Sequence, residues 1–141
     1  MISKTKGAIA CLGATLLALA IGKPALAGVL FNSDTGHYYE FVSGGYSWTE
    51  AKELAETRSY EGLQGYLATI TSEAEHNFIV SSFGISNWGG WIGASDAAAD
   101  GVWEWATGPE AGTVFWQNGT PLGYNKFHPG EPNELLNNSE D

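Results

Sequence analysis

The sequence pattern changes near residue 84, and this change constrains the fold more than any other feature. Before it, Ser47 with Glu50 and Ser72 with Glu75 have the spacing of a capping box at a helix N-terminus. After it, Gly, Trp, Asn and Thr dominate with little helical periodicity, which is typical of short strands joined by long ordered loops. The sequence therefore predicts a single α+β domain with two early helices.

The predicted elements before residue 84 alternate between strands and helices. They are a strand at residues 37–42, a helix that begins after Ser47, a short buried strand at residues 66–70 and a helix that begins after Ser72. The residues expected to face the core are Trp48, Ala51, Leu54 and Ala55 in the first helix and Ala74, Phe78 and Ile79 in the second. The tryptophans after residue 84 are likewise interpreted as core residues.

Residues 1–27 have the pattern of a signal peptide. Lys4 and Lys6 precede an apolar run over residues 8–21, and Ala25-Leu26-Ala27 is a small-x-small cleavage motif. The alternative is a membrane anchor, but about 14 apolar residues are fewer than the roughly 20 that cross a bilayer. We therefore expect an exported protein whose mature chain begins near Gly28 and has no membrane span.

The acidic composition limits the classes of partner. Removal of residues 1–27 would take away the only cysteine and three of the six basic residues, leaving three basic against sixteen acidic residues, a net charge of −13. Such a chain repels phosphate backbones, so nucleic acid and anionic membrane surfaces are disfavoured, whereas divalent cations are suitable counterions. The alternative is that the acidic residues only keep the protein soluble.

The common catalytic motifs are not found in the sequence. It contains no Gly-x-Ser-x-Gly pentapeptide, no Gly-rich phosphate loop after a strand, and no pair of histidines spaced for a zinc-binding helix. The histidines are His37, His76 and His128. The sequence therefore predicts a protein that is not an enzyme.

Oxygen-bearing side chains concentrate near the C-terminal end. Glu131 and Asn133 flank Pro132, and a cis Glu131–Pro132 bond would aim both side chains at one ion. Taken alone, this segment is also compatible with a simple surface turn. Further oxygen-bearing residues are Asp96 and Asp100, before Gly101, and Asn137, Asn138, Glu140 and Asp141. Together they favour a calcium site, because calcium takes six to eight oxygen ligands.

Several motifs occur in an order that resembles the C-type lectin-like domain. They are SWTEAKELA, LATITSEAEHNFI, GWIGASD, WEWATG, FW and GEPN, and they extend from about residue 36 to residue 141. The resemblance implies a domain over residues 28–141 with two helices, short antiparallel sheets and a long calcium-binding loop region. It also implies that a Trp-Asn-Asp segment and a core strand of the family are missing before the chain ends at Asp141.

The family pattern carries its calcium ligands onto this sequence residue by residue. The ligands implied for the calcium that contacts sugar are Glu131, Asn133 and Glu140. Those implied for a second, supporting calcium are Asp96, Asp100, Glu134, Glu140 and Asp141. Ala55 replaces the family's helix-one cysteine, so the resemblance is to disulfide-free, bacterial members.

The Glu-Pro-Asn order implies binding of glycans of the mannose, fucose or N-acetylglucosamine type, whereas Gln-Pro-Asp in this family accompanies galactose. Each sugar hydroxyl would contact the calcium, donate to a carboxylate and accept from an amide. Because few groups contact such a sugar, we expect weak monovalent affinity and oligomers for avidity. The alternative is a protein-interaction or surface-adhesion module in which calcium is structural or absent.

Overall fold

The computed structural model describes residues 7–12, 28–85 and 90–132, and within residues 7–12 it describes only the side chain of Ala10. The helices are α1 (Trp48–Thr57) and α2 (Glu73–Phe83). The strands are β1 (Gly7–Leu12), β2 (Val29–Asn32), β3 (His37–Val42), β4 (Ser59–Tyr60), β5 (Leu63–Leu67), β6 (Gly90–Trp91), β7 (Ala94–Ser95), β8 (Val102–Trp105), β9 (Val114–Gln117) and β10 (Thr120–Pro121). The α+β class predicted from the sequence is confirmed.

The described strands form two sheets. The larger has the order β2-β3-β1-β5-β4, with β6 pairing alongside β1, and the smaller has the order β10-β9-β8-β7. Strand β1 is antiparallel to β3 and β5 and parallel to β6. The smaller sheet is antiparallel throughout, and its last strand, β10, leads directly into the segment from residue 122 to residue 132.

Helix α1 forms as the sequence predicts. The Ser47 side chain accepts a hydrogen bond from the Glu50 N–H at 3.3 Å, and the Glu50 carboxylate accepts one from the Ser47 N–H at 2.8 Å, so the capping box is complete. Ala51 and Ala55 are buried on the inner face, flanked by half-buried Trp48. Neither α1 nor α2, the helices of the described residues, is long and apolar enough to cross a membrane.

Helix α2 differs from its prediction in the face that it buries. Ser72 accepts a hydrogen bond from the Glu75 N–H, but the Glu75 carboxylate turns inward instead of completing the capping box. There it accepts hydrogen bonds from the Tyr39 hydroxyl and the Thr71 N–H, so a carboxylate occupies the core side. Ile79 is buried as predicted, whereas Ala74 is exposed. These hydrogen bonds offset the cost of burying a charged group.

The strand predicted at residues 66–70 is displaced toward the N-terminus, to β5. Its pairing with β1 ends at Leu67, and the next three residues remain buried without belonging to a strand. Two groups replace the ladder partners there: Thr107 Oγ1 donates to the Leu67 carbonyl at 2.7 Å and the Gly93 N–H donates to the Ala68 carbonyl at 2.9 Å. Residues 68–70 therefore connect the two sheets.

The segment Trp91-Ile92-Gly93 joins the α1 side of the core to the smaller sheet. The indole of Trp91 donates to the Tyr46 carbonyl at 2.7 Å, and the indole of Trp48 donates to the Ile92 carbonyl at 2.9 Å. At Gly93, a Cβ atom would collide with Thr107 Oγ1 and lie 2.8 Å from the Leu67 carbonyl oxygen. Only glycine allows this close approach of the two backbones.

Candidate functional site

The structure describes three of the residues predicted to bind calcium or sugar. Asp96 and Asp100 lie in the loop between β7 and β8, and Glu131 lies at the end of the described chain. The other predicted ligands lie outside the described residues, as does Trp88: they are Asn133, Glu134, Glu140 and Asp141. The predicted ligand set therefore stays a prediction.

Glu131 is presented to solvent by a tight turn. The Glu131 N–H donates to the His128 carbonyl at 2.8 Å, and Gly130 has a φ of 95°, which with Pro129 in the preceding position defines a type II turn. The Glu131–Pro132 peptide bond is cis, which is the conformation that the predicted ion site requires. The Glu131 side chain is exposed, where it can contact an ion or a ligand.

The segment that leads to this turn is fixed on the smaller sheet by one aromatic side chain. The ring of Phe127 lies 5.2 Å from that of Trp116 and 5.5 Å from that of Trp103, both edge-on, and 6.1 Å from that of Phe115. Edge-to-face contacts at these distances are favourable. Phe127 therefore positions the turn and Glu131 relative to β8 and β9.

The loop between β7 and β8 is closed by its own acidic residue. Asp96 Oδ2 accepts a hydrogen bond from the Gly101 N–H at 3.2 Å, and the Asp96 carbonyl accepts one from the Ala99 N–H at 2.9 Å. Gly101 has a φ of 72°, a conformation that favours glycine. Asp96 is half-buried and Asp100 is exposed, so both carboxylates lie at or near the surface.

The described residues include side chains of the type that binds calcium, but these side chains do not form a cluster. Asp96, Asp100 and Glu131 carry the hard oxygen ligands that calcium takes. Within residues 7–12, 28–85 and 90–132, however, no group of three or more His, Cys, Asp or Glu side chains is close enough to hold a metal ion. The acidic side chains of the described residues alone therefore do not assemble a calcium site.

An aromatic cavity of about 310 Å³ is lined by residues of α1, α2 and the smaller sheet. The sequence does not predict this cavity. Its walls include Trp48, Trp91, Trp103, Trp105, Phe115 and Phe127. Trp103 Nε1 and the Tyr124 hydroxyl are buried without a hydrogen-bond partner among the described residues, and Tyr124 also lines the cavity. The sequence predicts core tryptophans; Trp105 is buried, whereas Trp91, Trp103 and Trp116 are half-buried. The positions of the tryptophans along the sequence do not indicate that their side chains leave a cavity when they pack.

The wall of the cavity near α2 contains an imidazole with a perturbed pKa. Burial lowers the pKa of His76 below its ordinary value of 6.5, the charge of Lys126 lowers it further, and the carboxylate of Glu73 opposes both effects. Lys126 forms an ion pair of 3.1 Å with Glu73, which raises the pKa of the lysine. At neutral pH this wall therefore presents a neutral imidazole beside an exposed ion pair.

The chain is similar to several known proteins, in each case over only part of the other protein's length. No family model matches the chain, and no solved structure matches it significantly. The chain is similar to halomucin of Haloquadratum walsbyi, with 53% identity over 89 residues that cover 63% of this chain and 1% of halomucin.

Two mammalian proteins are also similar. The low affinity immunoglobulin epsilon Fc receptor of Mus musculus is 30% identical over 95 residues, which cover 67% of this chain and 23% of the receptor. The C-type lectin domain family 17 member A of Homo sapiens is 31% identical over 100 residues, which cover 71% of this chain and 22% of that protein. The chain thus spans less than a quarter of each of these three relatives. Together with the two helices and short antiparallel sheets described above, these similarities identify the chain as a member of the C-type lectin-like domain family.

Proposed function

We propose that this domain binds carbohydrate in a calcium-dependent manner and breaks no bond in the ligand. The observation that carries the proposal is the exposed Glu131 carboxylate, which follows a type II turn and directly precedes Pro132 and Asn133. Membership of the C-type lectin-like family and the similarity to a protein named for its C-type lectin domain support it. The residues proposed to hold the calcium and the sugar are Glu131, Asn133 and Glu140.

The proposed ligand is a glycan of the mannose, fucose or N-acetylglucosamine type. Two neighbouring sugar hydroxyls would share the calcium, while the Glu131 carboxylate accepts a hydroxyl proton and the Asn133 amide donates to a hydroxyl oxygen. Asp96, Asp100, Glu134, Glu140 and Asp141 are proposed to hold a supporting calcium. We further propose that the protein is exported after removal of residues 1–27 and that several copies act together.

The test is thermal unfolding of the full chain, first with calcium or with a chelator, and then with mannose or galactose added to the calcium form. A ligand that binds only the folded state raises the unfolding midpoint, by an amount that corresponds to about 2.7 kcal/mol at a hundred times its Kd. We expect a rise with calcium and a further rise with mannose that the chelator abolishes. No response to calcium would overturn the metal site.

Variants separate the sugar site from general acidity. Glu131→Gln should abolish the mannose response, whereas Glu53→Gln, which removes an exposed carboxylate from α1, should preserve it. The double variant Glu131→Gln/Asn133→Asp reverses the donor and acceptor order and should shift the preference toward galactose. An unchanged mannose response in the double variant would overturn the assigned roles.

A second candidate function is recognition of a protein, with calcium either absent or limited to ordering the loops. One similar protein is named as an immunoglobulin Fc receptor, and the described residues alone do not assemble three metal-binding side chains. The same titration distinguishes the two candidates. A midpoint that responds to calcium but to no sugar would favour the interaction module.

A further inference from the structure

Three aromatic rings form a row on the larger sheet, apart from the hydrophobic core. Phe31 of β2 is opposite Tyr38 of β3, and their ring centroids are 4.9 Å apart. The ring of Tyr60 in β4 also lies 4.9 Å from that of Tyr38. In the described part of the chain, none of the three belongs to a buried core cluster or to the half-buried residues that pack against one. We call these three side chains the aromatic strip.

The aromatic strip is accessible from solvent. Phe31 is 52% exposed, and Tyr38 and Tyr60 are half-buried. A ring that stays in contact with water contributes little hydrophobic free energy to folding, whereas adjoining exposed apolar side chains mark interaction sites. The position of the strip is therefore that of a binding surface.

A tight hairpin holds one end of the aromatic strip in place. Strands β4 and β5 are joined by Glu61 and Gly62, which have φ angles of 50° and 85°. Positive φ at both central residues is characteristic of a type I′ turn, which leaves the flanking residues little freedom. Tyr60 directly precedes this turn, so its backbone is ordered before a ligand arrives. Less conformational entropy is then lost on binding.

Polar groups without hydrogen-bond partners lie beside the aromatic strip. Glu40 follows Tyr38 by two residues on β3 and Arg58 precedes Tyr60 by two residues. Arg58 Nη1 lies 3.6 Å from Glu40 Oε1, an ion pair longer than a hydrogen bond. Their side chains, like the two tyrosine hydroxyls, form no hydrogen bond with the described residues. The guanidinium donors and the carboxylate oxygens can therefore bind a ligand.

This combination fits a ligand that has both C–H faces and hydroxyl groups. The face of an aromatic ring carries partial negative charge and attracts C–H groups, and neighbouring donors and acceptors fix the orientation of a ligand. A pyranose ring has both kinds of surface, and several such rings can lie along a row of aromatic side chains only if the glycan is extended. The net charge of −10 disfavours an anionic glycan.

We propose that the aromatic strip is a binding site for a neutral, extended glycan, with the chemistry of a β-1,4-linked hexose chain. Its sugar rings lie on Phe31, Tyr38 and Tyr60. Its hydroxyl groups donate to the Glu40 carboxylate and accept from the Arg58 guanidinium. The site uses no metal ion, so this proposal and that of the calcium-dependent site can each fail without the other.

The first test is calorimetric titration of the full chain with cellohexaose and with β-1,4-linked mannohexaose, both in the presence of a calcium chelator. We expect at least one of these probes to bind with a Kd of about 1 mM or lower. Maltohexaose, whose α-1,4 linkages coil the chain, should bind at least about fivefold more weakly. No binding of either β-1,4-linked probe would overturn the proposal, and equal binding of maltohexaose would contradict an extended ligand.

The second test uses variants of the full chain and the tighter of the two probes. Phe31→Ala removes an exposed ring outside the core clusters, so the variant should keep its unfolding midpoint and bind at least about fivefold more weakly. Arg58→Gln should also weaken binding. Leu122→Ala is the matched control, because this residue is 58% exposed and lies outside the strip. Unchanged affinity in Phe31→Ala would overturn the proposal.

The third test asks whether a second copy of the chain covers the aromatic strip instead. Sedimentation velocity of the parent chain and of Phe31→Ala, without glycan, measures the oligomeric state of each. We expect the two to sediment alike, because the proposed ligand is a glycan. A dimer that dissociates in Phe31→Ala, together with no binding of either β-1,4-linked probe, would overturn the proposal and assign the strip to a contact between copies.

Discussion

The hydroxyl of Tyr39 in β3 donates a hydrogen bond of 2.6 Å to the Glu75 carboxylate in α2, and both residues are almost completely buried. The same carboxylate accepts a hydrogen bond from the Thr71 N–H at 2.9 Å. The contact ties the second helix to a strand 36 residues earlier in the sequence. A buried carboxylate depends on such donors, because an unsatisfied charged group is costly in the core.

Replacement Tyr39→Phe removes one donor and leaves the carboxylate partly unsatisfied. We expect the free energy of unfolding to fall by about 1–3 kcal/mol, measured by urea denaturation. The control is Tyr38→Phe on the same strand, because the Tyr38 hydroxyl forms no hydrogen bond with the described residues. It should change stability by less than about 0.5 kcal/mol. Equal losses in the two variants would contradict the role assigned to the Tyr39–Glu75 contact.

Replacement Gly93→Ala introduces a methyl group where two backbones meet. The new Cβ would collide with Thr107 Oγ1 and approach the Leu67 carbonyl oxygen, so we expect a loss of about 1–3 kcal/mol or more. A double-mutant cycle with Thr107→Ala provides the control. Removal of the threonine side chain relieves one of the two collisions, so the combined loss should be smaller than the sum. Strict additivity would contradict the proposed collision.

Stability should decrease on acidification because of His76. Burial lowers the pKa of this imidazole below 6.5, so the unfolded chain binds a proton more readily than the folded chain does. The contribution of neutral His76 is complete above pH 6.5 and is lost as the pH falls through the lowered pKa. Thermal midpoints from pH 8 to pH 5 should fall less in His76→Gln than in the parent chain. The exposed His128 supplies the control, and His128→Gln should follow the parent.

Replacement Phe127→Ala should loosen the turn that presents Glu131. The ring contacts Trp103, Phe115 and Trp116 but is only half-buried, so a loss of about 2–3 kcal/mol is expected, below the usual cost of a fully buried phenylalanine. The mannose-dependent rise in midpoint should also shrink, because Glu131 is less well positioned. Leu122→Ala, at a residue that is 58% exposed, is the control and should leave both quantities nearly unchanged.

The sequence predicts the elements whose stabilising contacts are local. The strand at residues 37–42 has the observed bounds, and the capping box of α1 forms because its partners are three residues apart. The second capping box forms only in part, since the Glu75 carboxylate has better donors in distant Tyr39 and adjacent Thr71. Periodicity places alanine on the inner face of α2, and only the tertiary contact explains why a glutamate is buried there.

Long-range features of the site and the sheet could not be read from the sequence. An apolar run such as residues 8–21 has the composition of a signal peptide and also that of a buried strand, so its pattern does not show that residues 7–12 pair with β3 and β5. The aromatic cavity depends on how Trp103, Phe115 and Phe127 pack against one another. Spacing along the chain contains no information about that packing.

The hydrogen bond from the Gly101 N–H to Asp96 Oδ2 also bears on how a cation would be held at the β7–β8 loop. Because folding alone already orders this loop, the conformational entropy of closing it is lost before any ion arrives. If Asp96 holds the proposed supporting calcium, association there would require little rearrangement, so the ion could enter and leave without the loop opening. A loop preorganised in this way would make the proposed cation affinity depend on the fold, so variants that unfold the smaller sheet should lose that affinity even when every proposed ligand is retained.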